Sequence, residues 1–167
     1  MLRMVKTSYG EVKKLSSPET AYIAALIDGE GSIGLSRKQK SEYRRLEVEI
    51  SNTDFKLLKW VKNSVGAGQI TRKRVYSKKH AIGFCYRICN RQAFNLLIQI
   101  SPYLKTYKQK RAELVLKNYT KLTLRNGKYS PKMLLQKEKF IKSFFAIPQN
   151  KVYINNVPST INFKNYL

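Results

Sequence analysis

The sequence is poor in histidine, cysteine and acidic residues. Its 167 residues include one histidine, two cysteines and ten aspartates and glutamates. A single histidine, His80, argues against Ser-His-Asp hydrolysis and against nucleases that use a histidine base. We interpret Cys85 and Cys89 as free thiols of a reducing compartment, because a zinc site would need two further ligands. The ten acids therefore form a short list of candidate metal ligands.

The chain also lacks a long apolar run. No stretch approaches the length of a membrane span, and residues 1–14 lack the apolar core of a secretory signal. These features predict an intracellular protein. The hydrophobic content of 43% is nevertheless enough for a core, and the length suits one domain.

Positive charge is what the sequence has in excess. Lysine and arginine number 33 against ten acids, for a formal net charge of +23. A charge of this size repels itself in a compact fold and indicates an anionic partner. Nucleic acid is the leading interpretation and an anionic membrane surface the second.

The hydrophobic pattern predicts an α+β domain over residues 16–147. A poorly ordered basic lead-in (1–15) precedes it, and an irregular tail (148–167) follows it. Ser17 and Pro18 are expected to start a helix that ends near Gly29 and Gly31. Strands are predicted around 32–36, 45–50, 69–77 and 81–89, and further helices at 54–64 (capped by Asn52 or Thr53), 93–100, 108–122 and 131–147. This order predicts one four-stranded antiparallel sheet with helices on one face.

The other face of that sheet is the candidate nucleic-acid surface. Its side chains donate and accept hydrogen bonds, as the reading of base edges requires, and a two-stranded ribbon fits the major groove. A merely solvated face would explain the polarity but not the positive excess. The candidates are Ser36, Lys38, Lys40, Arg45, Glu47, Glu49, Gln69, Thr71, Lys73 and Arg87.

Residues 23–31, Ile-Ala-Ala-Leu-Ile-Asp-Gly-Glu-Gly, resemble the motif of the LAGLIDADG homing endonucleases. Five positions are identical, and Glu30 replaces the final acid of the motif conservatively. The motif ends the first predicted helix, and a strand follows directly. The resemblance extends over about residues 18–147 and is greatest to the small single-motif homodimers encoded in organellar introns. Only this resemblance suggests an organelle, a chloroplast or a mitochondrion, as the compartment.

The resemblance implies an αββαββα fold with a saddle-like sheet. It also implies a site-specific double-strand DNA endonuclease that uses Mg²⁺ or another divalent cation such as Mn²⁺. By this analogy Glu30 and the carbonyl of Gly29 bind the metal, and Asn52 orders water. Lys108 and Lys56 would be the basic residues of catalysis.

A single motif implies that two chains associate. Ala21, Ala24, Ala25 and Asp28 lie near one helical face, where small side chains let two helices approach closely. Burial inside one subunit would explain the alanines equally well. A two-fold axis between two such helices would bring both copies of Glu30 together and would match a long, partly palindromic target. Asp28 is expected to accept hydrogen bonds from the backbone of the partner helix.

The alternative is an RNA-binding maturase or another nucleic-acid-binding protein that does not cleave. Its charge and fold could be the same. Glu30 distinguishes the two classes, because a protein that only binds has no need of a metal-binding carboxylate at the end of a helix pair.

Overall fold

The computed structural model describes residues 10–37, 39, 42–74, 81–124 and 128–149. Lys38, Lys40 and the predicted turn at 77–80 therefore lie outside the described residues. In chain order the elements are α1 (Ser17–Glu30), β1 (Gly31–Ser36), β2 (Arg45–Asn52), α2 (Phe55–Val65), β3 (Gln69–Arg72), β4 (Phe84–Cys89), α3 (Asn90–Ile100), α4 (Tyr107–Leu122) and α5 (Pro131–Ala146). A 3-10 turn, Ser101–Tyr103, lies between α3 and α4. The predicted α+β fold is confirmed.

The four strands form one antiparallel sheet in the order β1-β2-β4-β3. Alternate residues of β2 are buried, because the strand has one face on the core and one outside. The inward side chains pack with the helices into one core, so the helices cover a single face. The largest fully buried side chains of the sheet are Ile33, Leu46, Ile50, Tyr86 and Ile88.

The first helix begins one residue earlier than the sequence pattern predicts. Ser16, not Ser17, is the N-cap: its hydroxyl accepts from the Glu19 backbone N–H, and Glu19 Oε2 accepts from the Ser16 N–H at 2.9 Å. This reciprocal pair is a capping box, which satisfies two amide groups that the helix leaves open. Pro18 follows in the first turn, where its missing N–H costs nothing.

The second helix is capped by Asp54, so the prediction of Asn52 or Thr53 was wrong. Asp54 Oδ1 accepts from the backbone N–H groups of Lys56 and Leu57, at 2.8 and 3.2 Å. Gly66 ends the helix in the left-handed conformation (φ +75°), which glycine adopts without steric cost.

The lead-in is ordered over residues 10–15, contrary to the prediction for this segment. Val12 and Leu15 are buried in the core, and the Leu15 N–H donates to Gln99 Oε1 at 2.8 Å. Two apolar residues in a basic segment are too few to give a periodic signal, so the pattern missed their packing. Residues 1–9 lie outside the described part of the chain.

Within the described ranges, no helix combines the length and the apolar character that crossing a lipid bilayer requires. The third strand ends at Arg72, earlier than predicted, and β4 begins at Phe84 instead of residue 81. The described chain continues after α5 to Gln149 without regular structure.

Candidate active site and nucleic-acid interface

A cleft of about 330 Å³ opens where the C-terminal end of α1 meets the end of β2 and the start of β4. It brings Glu30, the predicted metal ligand, and Asn52, the residue predicted to order water, to one place. The cleft is lined by Glu30, Ser51, Asn52, Thr53, Lys73, Gly83 and Phe84. The side chains of Glu30, Ser51, Asn52 and Thr53 supply oxygen atoms, the donor type that magnesium prefers.

Asn52 is oriented by the turn that precedes α2. Its Oδ1 accepts a hydrogen bond from the Asp54 backbone N–H at 2.8 Å. With the oxygen engaged in the turn, the Nδ2 group is the part of the amide that can donate to a water or to a phosphate oxygen in the cleft. The predicted catalytic role of Asn52 stays a prediction, and its predicted role as a helix cap belongs to Asp54.

Lys108 supports the end of α1 from inside the protein. Its side chain is buried, and Nζ donates to the carbonyl oxygens of Ile27 and Asp28, both at 2.7 Å. Burial lowers the pKa of this ammonium group, partly offset by the nearby Asp28 and Glu30 carboxylates. A cation at this position satisfies carbonyls that the helix leaves open and complements the negative end of the helix dipole. Lys108 therefore lies behind the turn that carries Glu30 and does not line the cleft.

Asp28 joins α1 to the segment that precedes α4. Its Oδ2 accepts from the Lys105 backbone N–H and its Oδ1 from the Thr106 hydroxyl, each at 2.6 Å. Both carboxylate oxygens of Asp28 thus have donors from its own chain, while the predicted bond to the backbone of a partner helix stays a prediction. These donors lie 77 and 78 residues away in sequence, so only the fold brings them together.

The basic residue beside the cleft is Lys73, whereas Lys56 does not line it. Lys56 is exposed in the first turn of α2. Lys73 lies just past β3, where its backbone N–H donates to the Gly83 carbonyl at 2.8 Å. From the sequence, Lys73 is predicted only as a DNA contact. The alternation of Gln69, Thr71 and Lys73 could have indicated that this face leads to the cleft.

The outer face of the sheet carries four charged side chains in contact, which we call the charged cluster: Arg45, Glu47, Glu49 and Arg87. Glu47 Oε2 lies 3.3 Å from Arg45 Nη2 and 3.6 Å from Arg87 Nε, and Arg87 Nε also donates to Glu49 Oε1. The strand alternation also places Ser36, Gln69 and Thr71 on this face. The described DNA candidates thus share one surface next to the cleft, while their contacts with DNA stay predictions.

A family model described as LAGLIDADG endonuclease matches residues 23–119, more than half of the chain. The chain belongs to the LAGLIDADG endonuclease family. It is therefore an endonuclease of this family, a phosphodiester hydrolase that acts on DNA at specific sites.

Solved structures agree with this endonuclease fold. The homing endonuclease I-CvuI in complex with its target, in the presence of 2 mM Ca, is 20% identical, with a TM-score of 0.64 over 80% of this chain and 84% of that one. The same enzyme with the I-CreI target and 2 mM Mg is 19% identical, with a TM-score of 0.64 over 83% of this chain and 89% of that one. The archaeal intron-encoded I-Vdi141I, complexed with DNA, is 14% identical, with a TM-score of 0.54 over 81% of this chain and 87% of that one. At these identities the likeness establishes the fold.

The exposed side of α1 in this endonuclease is a strip of small residues. Ala21, Ala25 and Gly29 are exposed, but Ala24 is fully buried in the chain's own core. The prediction that Ala24 contacts a partner was therefore wrong, because its methyl group already packs inside the subunit. Beside the strip, Tyr22 on α1 and Trp60 on α2 form an edge-to-face aromatic pair with ring centroids 5.2 Å apart.

The two thiols lie four residues apart on β4, beside the charged cluster. Burial raises the pKa of Cys85, and it raises the pKa of Cys89 to about 11. Both cysteines are free thiols. Among the described residues, no three histidine, cysteine or acidic side chains come together as a metal cluster.

Proposed function

We propose that the chain works as a homodimer that cleaves both strands of a long, partly palindromic DNA duplex with a divalent cation, Mg²⁺ or a substitute such as Mn²⁺. The proposal rests chiefly on the cleft that Glu30 and Asn52 share at the edge of the polar sheet face. The candidate catalytic residues therefore lie next to the candidate DNA-reading surface, as cleavage at a specific sequence requires.

The end of α1 suits a hard divalent cation. Glu30 and Gly29 are exposed there, and a carboxylate with a backbone carbonyl is an oxygen donor set of the kind magnesium takes. Such a cation supplies an activated water and stabilises the leaving oxygen. The chain's own residues would do the rest: Asn52 Nδ2 donates to a water or phosphate oxygen, and the Lys73 ammonium offsets phosphate charge.

The homodimer is supported by the exposed strip on α1. Ala21 and Ala25 have small side chains and Gly29 has none, so two helices can approach closely along this strip. Each chain contributes one Glu30, so a two-fold axis along this strip would supply one carboxylate for each DNA strand. The internal bonds of Lys108 and Asp28 would hold that carboxylate in place within each subunit.

A cleavage selection tests the proposal. The protein is incubated with a randomised library of duplex DNA and Mg²⁺, and the cut ends are mapped by sequencing, with a chelator in the control. We expect recurrent double-strand ends within a site of approximate two-fold symmetry. Binding without any cut, or a preference for RNA over duplex DNA, would instead support a maturase or another binding protein.

A further inference from the structure

The charged cluster on the sheet face is unusual for a surface that meets DNA. The chain has ten acids against 33 basic residues, yet Glu47 and Glu49 lie at the centre of this face. Carboxylates there repel phosphates and weaken the attraction that basic residues provide. Their placement therefore calls for a role other than charge attraction.

The geometry of Arg87 indicates that role. Its Nε donates to Glu49 Oε1 and lies 3.6 Å from Glu47 Oε2, so both carboxylates engage the inner edge of the guanidinium group. The side chain of Arg87 is 43% exposed, against 25% for Glu49 and 12% for Glu47. The arginine is thus the most exposed of the three side chains, and both of these ion pairs are made through Nε and not through its Nη groups.

The cluster as a whole has no formal net charge, since Arg45 and Arg87 balance the two glutamates. A neutral cluster contributes little binding free energy through phosphate attraction or counterion release, because both effects need an unpaired positive charge. It can still donate directional hydrogen bonds. A guanidinium group that is held through Nε can still donate two parallel hydrogen bonds to a ligand with two adjacent acceptors. In the major groove, guanine presents such a pair, O6 and N7.

We propose that Arg87 reads a guanine in each half of the target, and that Glu49 and Glu47 are the residues that position it. This inference rests on the proposed function for its DNA ligand. An alternative role, a cross-strand ion pair that only stabilises the sheet, is weak because Arg87 is 43% exposed, and ion pairs screened by solvent contribute little to stability.

The register places this guanine close to the cut. Arg87 pairs with Glu49, and the next outward pair along the same strands is Cys85 with Ser51, which lines the cleft. Two residues of a strand span about 7 Å. DNA rises about 3.4 Å per base pair. The guanine is therefore expected within roughly two to three base pairs of the cleaved phosphate.

Binding measurements without catalytic metal test this inference separately from cleavage. Duplexes bound by the wild type are selected from a randomised library, and each base pair of the selected site is then replaced in turn. The variants are Arg87→Lys, which keeps the charge but loses the two-pronged donor, and Glu49→Gln, which keeps the shape but loses the charge. Lys59→Gln, at an exposed position on α2, is the matched control.

We expect one G·C pair per half-site whose replacement weakens wild-type binding by roughly ten- to a hundredfold. Arg87→Lys should abolish that preference and Glu49→Gln should reduce it, while Lys59→Gln keeps it. The salt dependence of binding should be the same in the wild type, Arg87→Lys and Lys59→Gln. It should be steeper in Glu49→Gln, because that variant leaves the cluster with a net positive charge.

Three results would overturn the inference. A uniform loss of affinity in Arg87→Lys with an altered salt slope would mean a phosphate contact. An unchanged base preference in that variant would mean that Arg87 only forms a structural ion pair. A preference for a base other than guanine at the Arg87-dependent position would mean that guanine is not the base that Arg87 contacts. Thermal unfolding of each variant verifies that it folds. If the preference holds but no duplex is cut, the proposed function fails and this inference stands.

Discussion

The turn that contains Glu30 and the sheet face that contains Arg87 differ in the interactions that hold them in place. Behind the turn, the buried ammonium group of Lys108 and the half-buried carboxylate of Asp28 bond to groups 77 to 81 residues distant in sequence. On the face, partly exposed ion pairs join side chains two residues apart on one strand or directly paired across two strands. We infer that the proposed catalytic end is held by contacts between distant segments, whereas the proposed recognition surface presents groups that DNA can contact and rearrange.

The largest effect is expected from Glu30→Gln. It removes the carboxylate charge of the cleft without touching the sheet face, so cleavage should fall by a hundredfold or more, since even the partners of metal ligands cost about 10–100-fold. Affinity for duplex DNA should change little. Single-turnover cleavage and equilibrium binding measure the two quantities, and Glu138→Gln, at an exposed position on α5, is the control. Full cutting by Glu30→Gln, or an equal loss of binding, would contradict the assignment.

Lys108→Met tests the scaffold behind the turn. The substitution keeps the volume but leaves two carbonyls at the end of α1 without their donor, which should lower the free energy of unfolding by about 1–3 kcal/mol. Urea unfolding measures this loss, and Lys110→Met, exposed on the same helix, should show none. If Lys108→Met keeps its stability and still loses cleavage, the lysine acts on DNA directly and our structural assignment is wrong.

The two sides of α1 provide a matched pair of substitutions. Ala25→Leu adds bulk on the exposed strip and should separate the dimer with little change in the stability of each subunit. Ala24→Leu adds the same bulk inside the core, where overpacking costs about 1–3 kcal/mol. Sedimentation velocity and urea unfolding distinguish the two effects. A variant Ala25→Leu that stays dimeric and active would exclude this strip as the interface.

The smallest effect concerns two lysines near the cleft. Lys73→Met should reduce the slope of log affinity against log salt by about 0.9, the contribution of one phosphate contact on duplex DNA. Lys56→Met, which removes an exposed charge outside the cleft, should leave that slope unchanged. Equal changes in both variants would show that the position beside Glu30 has no special role.

Local patterns in the sequence were sufficient to predict the order of helices and strands and the outward face of the sheet. Alternating apolar residues in β2 predicted which side chains face outward, since successive side chains of a strand point to opposite faces. The motif at residues 23–31 indicated both the family and the acid at the cleft. Helix starts were less certain: Ser16 and Asp54 are caps because of hydrogen bonds that neighbouring serine, asparagine or threonine could equally have made.

The sequence by itself determined the family, the αββαββα order and the polar sheet face, because each follows from spacing within a short segment. Only the tertiary structure decided that Lys108 is buried, that Asp28 bonds within its own chain, and that Ala24 packs in the core while Ala25 is exposed. It also placed Lys73, and not Lys56, beside Glu30. Periodicity gives the face on which a side chain lies, but the element that covers that face comes from contacts between segments far apart in the chain.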